Sequence, residues 1–234
     1  MDAGTRRQPG GGERGEERTV RVPAGQAVLE GSLAIPRDAD GIVLFAHGSG
    51  SSRHSPRNRY VAAILQESGL ATLLLDLLTP EEEAVDLRTR HLRFDIELLA
   101  QRLVSTTDWL AREHDTRNLP IGYFGASTGG GAALVAAAQR PDVVRAVVSR
   151  GGRPDLAGDA LPQVQAPTLL IVGGDDVPVI EMNEDAMARM RAEVRLAIVA
   201  GATHLFEEPG KLEEVARLAR DWFVQHLKSA HVSR

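Results

Sequence analysis

The sequence predicts an α/β fold: one mostly parallel central sheet with an antiparallel hairpin at its N-terminal edge, helices on both faces, and minimal or no cap. Three observations point to it. Short apolar runs alternate with stretches of helical period from residue 41 onward, the order that buries a parallel sheet between helices. The runs IVLFA (42–46), LATLLLDLL (70–78) and LLIVGG (169–174) are apolar nearly throughout, as in strands buried on both faces. Two further runs, TVRVP (19–23) and VLEGSLAIP (28–36), are joined by the short AGQA, a hairpin pattern.

Taken in order, GIVLFA (41–46) reads as a central strand, and YVAAILQESG (60–69) has helical spacing and stops at Gly69. ATLLLD (71–76) is the next strand. TPEEEAVDLRTR (79–90) is polar and receives no element. HLRFDIELLAQRLVSTTDWLAREHD (91–115) keeps Leu92, Ile96, Leu99, Leu103 and Leu110 on one face, which predicts one long amphipathic helix with His91 and His114 at its ends. LPIGYFG (119–125) is a strand, STGGGAALVAAAQR (127–140) a small-residue helix ended by Pro141, and DVVRAVVSRGG (142–152) a strand. APTLLIVGG (166–174), a helix near 179–191, VRLAIVAG (194–201) and a helix near 211–228 complete the pattern. The connection from 149 to 167 has room for a short helix but not for a cap domain, so a shallow, open pocket is expected.

Composition narrows the class. The chain has 234 residues, 43% hydrophobic and 25% charged, with a net charge of −5. Such a chain can bury a core without disulfides or metal staples. Its charge gives no general attraction to nucleic acid or to an anionic membrane. It has no cysteine, which excludes a disulfide scaffold, a thiol nucleophile and cysteine-held metal sites and suits a cytoplasmic location. Residues 1–18 contain five Gly and eight charges that cancel. They lack the apolar stretch of a signal peptide and are expected to form a disordered tail, leaving 19–234 as a single domain. No apolar run approaches the ~20 residues that span a bilayer.

The strongest chemical signal is Gly125-Ala126-Ser127-Thr128-Gly129, a G-x-S-x-G that follows an apolar strand and opens a small-residue helix. That is the setting of a nucleophile elbow: the serine sits on a sharp turn, glycines let the backbone approach closely, and the helix N-terminus offers the Thr128 N–H to a developing oxyanion. The alternative is that Ser127 is only a helix N-cap. A serine hydroxyl needs a base, and His204, just after the last strand, lies in a loop that reaches the same sheet edge. His226 and His231 fit exposed surface instead. The base needs a carboxylate, and GGDDVPV (173–179) supplies two. The spacing Gly173…Asp176…Val179 favours Asp176, with Asp175 as the alternative that caps or solvates the turn. A second oxyanion donor is expected from His47-Gly48-Ser49, with the Ser49 N–H as donor and His47 bracing the loop; a flexible surface loop is the alternative. Arg53, Arg57 and Arg59 follow, either as a solvated surface or as an anion site for the substrate. Asp76 faces the same rim. His47, Gly48, Arg53 and Asp76 are therefore the candidate pocket residues.

With HGSGSS (47–52), GASTGG (125–130), GGDDVPV (173–179) and GATHLFEEPG (201–210) in this order, the chain resembles the α/β-hydrolase superfamily over residues 19–228, and within it the dienelactone-hydrolase-like branch. The resemblance implies an α/β-hydrolase fold, a Ser127–Asp176–His204 triad, no metal or organic cofactor, and a small-molecule substrate. Dienelactone hydrolases use a cysteine nucleophile, whereas position 127 here is Ser. The expected activity is thus a serine hydrolase of a small ester, lactone or similar acyl compound. A perhydrolase or acyltransferase with the same triad, and a non-catalytic scaffold that binds a small molecule or a partner, are the alternatives. The resemblance also implies association with a phosphoribosyltransferase-type protein, and a homodimer is open.

Overall fold

The computed structural model describes residues 15–228; most of the expected tail, and residues 229–234 with His231, lie outside that range. Eight strands form one sheet: β1 (Glu17–Ala24), β2 (Ala27–Ala34), β3 (Gly41–Ala46), β4 (Leu70–Leu75), β5 (Ile121–Ala126), β6 (Val144–Arg150), β7 (Thr168–Gly173) and β8 (Val194–Val199). Six α-helices surround it: α1 (Pro56–Glu67), α2 (Pro80–Thr89), α3 (Ile96–Leu110), α4 (Thr128–Gln139), α5 (Val177–Arg189) and α6 (Lys211–Leu227). The strand order is β1-β2-β4-β3-β5-β6-β7-β8. β1–β2 and β2–β4 pair antiparallel, and every other neighbour is parallel. The fold is that of an α/β-hydrolase, with the hairpin at one edge.

Local chemistry explains the elements. All six residues of β3, β4, β5 and β7 are buried, because the sheet is covered on both sides. Alternate side chains of one strand feed two separate cores. Leu44 and Tyr123 join α3 and α4, while Phe45 and Phe124, with ring centroids 4.9 Å apart, join α1 and α6. The small residues of α4 are buried from Thr128 through Ala137, so this helix lies close against the sheet behind the elbow.

The structure departs from the sequence pattern in the segment between β4 and β5. The polar stretch 79–90 contains α2, which begins with Pro at its first turn and a capping box: the Thr79 hydroxyl accepts the Glu82 N–H (3.2 Å) and the Glu82 carboxylate accepts the Thr79 N–H (2.8 Å). Its single buried residue is Asp86, so no apolar stripe marks it. The helix expected over 91–115 is shorter. Asp86 takes the Leu92 and Arg93 N–H groups at 2.8 and 3.1 Å, which turns Leu92–Phe94 into a single 3-10 turn. Asp95 then caps α3 by accepting the Leu98 N–H at 3.0 Å. His91 precedes that 3-10 turn, and His114 lies beyond the end of α3. Two smaller shifts occur nearer the N-terminus. α1 starts at Pro56, behind the Ser55 cap, and β1 starts at Glu17, inside the stretch read as tail. Between β6 and β7 stand only short 3-10 turns within Pro154–Gln163, kinked at Gly158.

Candidate active site

The parallel strands end along one edge of the sheet. Ala46 pairs with Gly125, Ala126 with Arg150, Arg150 with Ile171 and Gly173 with Val199. The loops that leave these ends carry Ser49, Ser127, Asp176 and His204, which is where ligands meet open α/β sheets.

Ser127 has φ 51° and ψ −122°, a conformation that a residue with a side chain adopts only when its surroundings force it. Three hydrogen bonds do so. The Ser127 N–H donates to Arg150 O at 3.3 Å, and its carbonyl accepts Gly130 N–H at 2.9 Å and Arg153 N–H at 3.0 Å. The two glycines make room. A Cβ on Gly125 would lie 2.5 Å from Gly130 Cα, and one on Gly129 would lie 2.2 Å from Ala46 O. Ser127 occupies the N-cap position of α4, yet its hydroxyl makes no capping bond. The capping alternative is therefore not what the structure contains; among the described residues the Oγ carries no hydrogen bond.

His204 meets Asp176: Nδ1 and Oδ2 are 2.6 Å apart. Asp176 follows β7 in a tight turn closed by its own N–H to Gly173 O at 3.1 Å. The neighbouring Asp175 is exposed and uses its N–H to hold Ala202 O at 3.0 Å, tying the two loops together. Thr203 donates its N–H and hydroxyl to Glu208, at 3.1 and 2.5 Å, which closes the turn that carries the imidazole. Glu208 also receives its pKa lowering first from that hydroxyl. The ring lies over the end of β6, since a Cβ on Gly151 would come 3.5 Å from His204 Cε1. Gly151 directly follows Arg150, whose carbonyl holds the Ser127 N–H.

The loop after β3 reaches the elbow from the other side. A Cβ on Gly48 would lie 3.1 Å from Ser127 Cβ. The Ser49 and Thr128 hydroxyls are 3.1 Å apart, and among the described residues the backbone N–H groups of both are without an acceptor. His47 Nε2 accepts the Leu77 N–H at 3.1 Å, so Nδ1 carries the proton and donates to Gly48 O at 2.9 Å. Burial pulls the His47 pKa below its ordinary value, against the opposing pull of the Gly48 carbonyl, Asp76 and Glu83.

Arg53 is engaged by two acids. Asp76 accepts its N–H at 2.7 Å and pairs with its guanidinium, and Glu30 takes the other end at 2.8 Å. Arg57 pairs with Glu207 at 3.1 Å and Arg59 with Glu17 at 3.2 Å. Each arginine thus meets an acid on a different element, and the three do not converge on one anion. Asp76 serves as the anchor of the loop. The pocket beside Ser49 and Thr128 is small. It is lined by His47, Gly48 and Asp76, and by Leu77, Leu78, Asp86, Arg93 and Leu99. None of those last five reads as a pocket residue in the sequence, where the Thr79-Pro80-Glu81-Glu82 start of α2 is the local signal for that segment. Neither this pocket nor a wider groove between the hairpin and α3 is lined by Ser127, Asp176 or His204. Among the described residues no group of three His, Asp or Glu side chains is arranged to hold a metal ion, and no helix is long and apolar enough to cross a membrane.

Comparison with known proteins places this geometry among relatives. The model of the dienelactone hydrolase family matches residues 29–229. A crystal structure of a dienelactone hydrolase from Anabaena variabilis ATCC 29413 is 67% identical, superposes with a TM-score of 0.90, and covers 91% of this chain and 99% of that one. Est1E from Butyrivibrio proteoclasticus shares the fold at 16% identity and a TM-score of 0.74, covering 88% of this chain and 98% of its own. A protein of Mycobacterium tuberculosis (strain ATCC 25618 / H37Rv) named "Putative phosphoribosyl transferase" is 64% identical over 208 residues. That match takes in 89% of this chain, which spans only 46% of the relative's length.

Proposed function

The chain belongs to the dienelactone hydrolase family, and from that premise we propose that it is a serine hydrolase that cleaves a small ester, lactone or similar acyl substrate through Ser127, His204 and Asp176. One observation carries the reading: a serine held at φ 51° with an unengaged hydroxyl stands at the same sheet edge as an imidazole bound to a carboxylate at 2.6 Å. A surface serine or a structural histidine requires neither.

In this reading His204 Nε2 takes the Ser127 proton as Oγ attacks the carbonyl carbon, and the carbonyl π electrons move onto oxygen. Asp176 holds Nδ1–H, which keeps Nε2 basic and stabilises the imidazolium. The Thr128 and Ser49 N–H groups receive the oxyanion; each such donor is worth about 10²–10³ in rate. Collapse expels the alkoxide, which takes the proton from His204. Water, deprotonated by the same imidazole, then releases the acid and restores Ser127.

The family is known for a cysteine nucleophile, and this chain has no cysteine; its chemistry would therefore run through an acyl-oxygen rather than an acyl-sulfur ester. Association with a phosphoribosyltransferase-type protein is the partner reading; the 64% identical relative, of which this chain spans 46%, is itself named "Putative phosphoribosyl transferase". The deciding experiment is a panel of p-nitrophenyl esters and lactones assayed with wild type and Ser127→Ala. Turnover by the wild type that falls at least about 10³-fold in the variant is expected. Equal rates in the two proteins would remove Ser127, and failure of a fluorophosphonate to label the wild type would favour the non-catalytic scaffold.

A further inference from the structure

The excursion between β4 and α3 has an internal ion pair that the proposed chemistry does not use. Asp86 is buried, its side chain only 2% exposed, and Arg93 sits beside it at 19%. The carboxylate accepts Leu92 N–H at 2.8 Å, Arg93 N–H at 3.1 Å and Arg93 Nε at 2.5 Å. Arg93 Nη2 also approaches the Asp86 carbonyl at 3.5 Å. Both the backbone and the guanidinium of Arg93 are therefore fixed by one side chain. Burial works against the ionised carboxylate, but the Arg93 side chain and then its backbone N–H outweigh it, so the Asp86 pKa lies below the ordinary value.

What Arg93 does with that fixity is visible on the opposite side. Its carbonyl faces the Ser49 hydroxyl at 3.5 Å, a contact longer than an ordinary O–H···O hydrogen bond. Its Nη1 lies 3.2 Å from where a Cβ on Gly50 would stand. Ser49 bears the N–H proposed as the second oxyanion donor, and Gly50 follows it directly. The same Ser49 hydroxyl reaches Thr128 Oγ1 at 3.1 Å, so the loop is gripped between the elbow helix and Arg93. An oxyanion donor contributes only when it is already in place as charge develops, and backbone loops of Gly and Ser do not hold a position by themselves.

We propose that Asp86 and Arg93 are positioning residues that fix the Ser49 N–H in the oxyanion site, with α2 and the Leu92–Phe94 turn serving as their mount. The proposal rests on the serine-hydrolase reading for its kinetic consequence but not for its structural one. Two measurements on Arg93→Ala therefore separate the two. Hydrogen exchange of the amides of residues 47–51, read by mass spectrometry, is expected to speed up about tenfold while exchange in β5 and α4 stays unchanged. With p-nitrophenyl butyrate, kcat is expected to fall about 10- to 100-fold at a KM within about threefold of wild type, since a misplaced oxyanion donor costs the transition state and not the ground state. Combining Arg93→Ala with Ser49→Ala is expected to cost little more than the worse single change, because both act on one loop. Unchanged exchange at 47–51 overturns the proposal whether or not any ester is cleaved. So does a kcat loss that multiplies with that of Ser49→Ala. Absence of esterase activity in the wild type, with exchange raised as expected, sinks the hydrolase reading and leaves the brace. If Arg93→Ala fails to fold by circular dichroism, Arg93→Lys, which keeps the charge but loses the Nε bond, is read by the same criteria.

Discussion

His204 and Asp176 share a 2.6 Å contact between loops that leave two neighbouring strands, β8 and β7. The contact exists because Asp175 and Asp176 divide two tasks. The Asp175 N–H binds Ala202 O at 3.0 Å and brings the loops together; the Asp176 side chain then meets the ring. One acid supplies backbone and the other supplies charge.

From that division, Asp176→Asn is expected to lower kcat steeply, by about 10³–10⁴, because an amide can favour the wrong imidazole tautomer and cannot stabilise imidazolium. Asp175→Asn keeps the backbone bond and is expected to stay within about twofold of wild type. Steady-state kinetics on one p-nitrophenyl ester suffices, and the opposite ranking would move the acid role to Asp175.

Gly129 makes a stability prediction at the same site. A Cβ there would stand 2.2 Å from Ala46 O and 2.6 Å from His47 O, both main-chain atoms of a central strand end that cannot swing aside. Gly129→Ala is expected to cost more than about 3 kcal/mol, or a Tm lower by roughly 6–12 °C. Calorimetry that finds the variant within a degree of wild type would mean the elbow is looser than its contacts imply.

The parts of this molecule that sequence marks are those whose constraint is local. The elbow announces itself because Gly129 must be glycine to pass under Ala46 and Gly125 must be glycine to pass Gly130, with Ser127 between them. The strand ends that gather Ser127, Asp176 and His204 are visible as apolar runs stopping at polar loops. α2 is not visible in that way, since its buried side is one carboxylate, Asp86, rather than an apolar stripe. The break at 91–95 is hidden for the same reason: Asp86 takes the Leu92 and Arg93 N–H groups away from a helix whose apolar spacing would otherwise run through. Arg53 is settled by Glu30 and Asp76, acids on β2 and after β4, and pairings across the fold leave no trace in the run of residues around it.

Arg53 is accordingly expected to act in stability rather than in substrate binding. Its side chain is 14% exposed and Asp76's is 21%, so removing the arginine leaves a partly buried carboxylate without its cation. Arg53→Ala is expected to destabilise by about 1–3 kcal/mol in urea unfolding. The ratio of kcat/KM for a carboxylate-bearing ester to that for a neutral ester of equal size is expected to stay within about twofold. A selective loss of the anionic ester would return Arg53 to the substrate pocket.

His47 makes stability depend on pH. Its Nε2 must stay unprotonated to accept the Leu77 N–H, and the groups around it are the Gly48 carbonyl, Asp76 and Glu83. Burial leads these effects and lowers the folded-state pKa below 6.5. As pH falls through about 6.5, the unfolded chain therefore binds a proton that the folded chain refuses, and stability declines until the folded pKa is passed. Above that range the contribution is fully present. His47→Asn, which cannot gain that proton, is expected to flatten the slope of unfolding free energy between pH 6.5 and 5 relative to wild type, measured by urea titration at a series of pH values. An identical slope in the two proteins would mean that the imidazole titrates alike folded and unfolded, and that the Leu77 N–H is held by something other than an unprotonated Nε2.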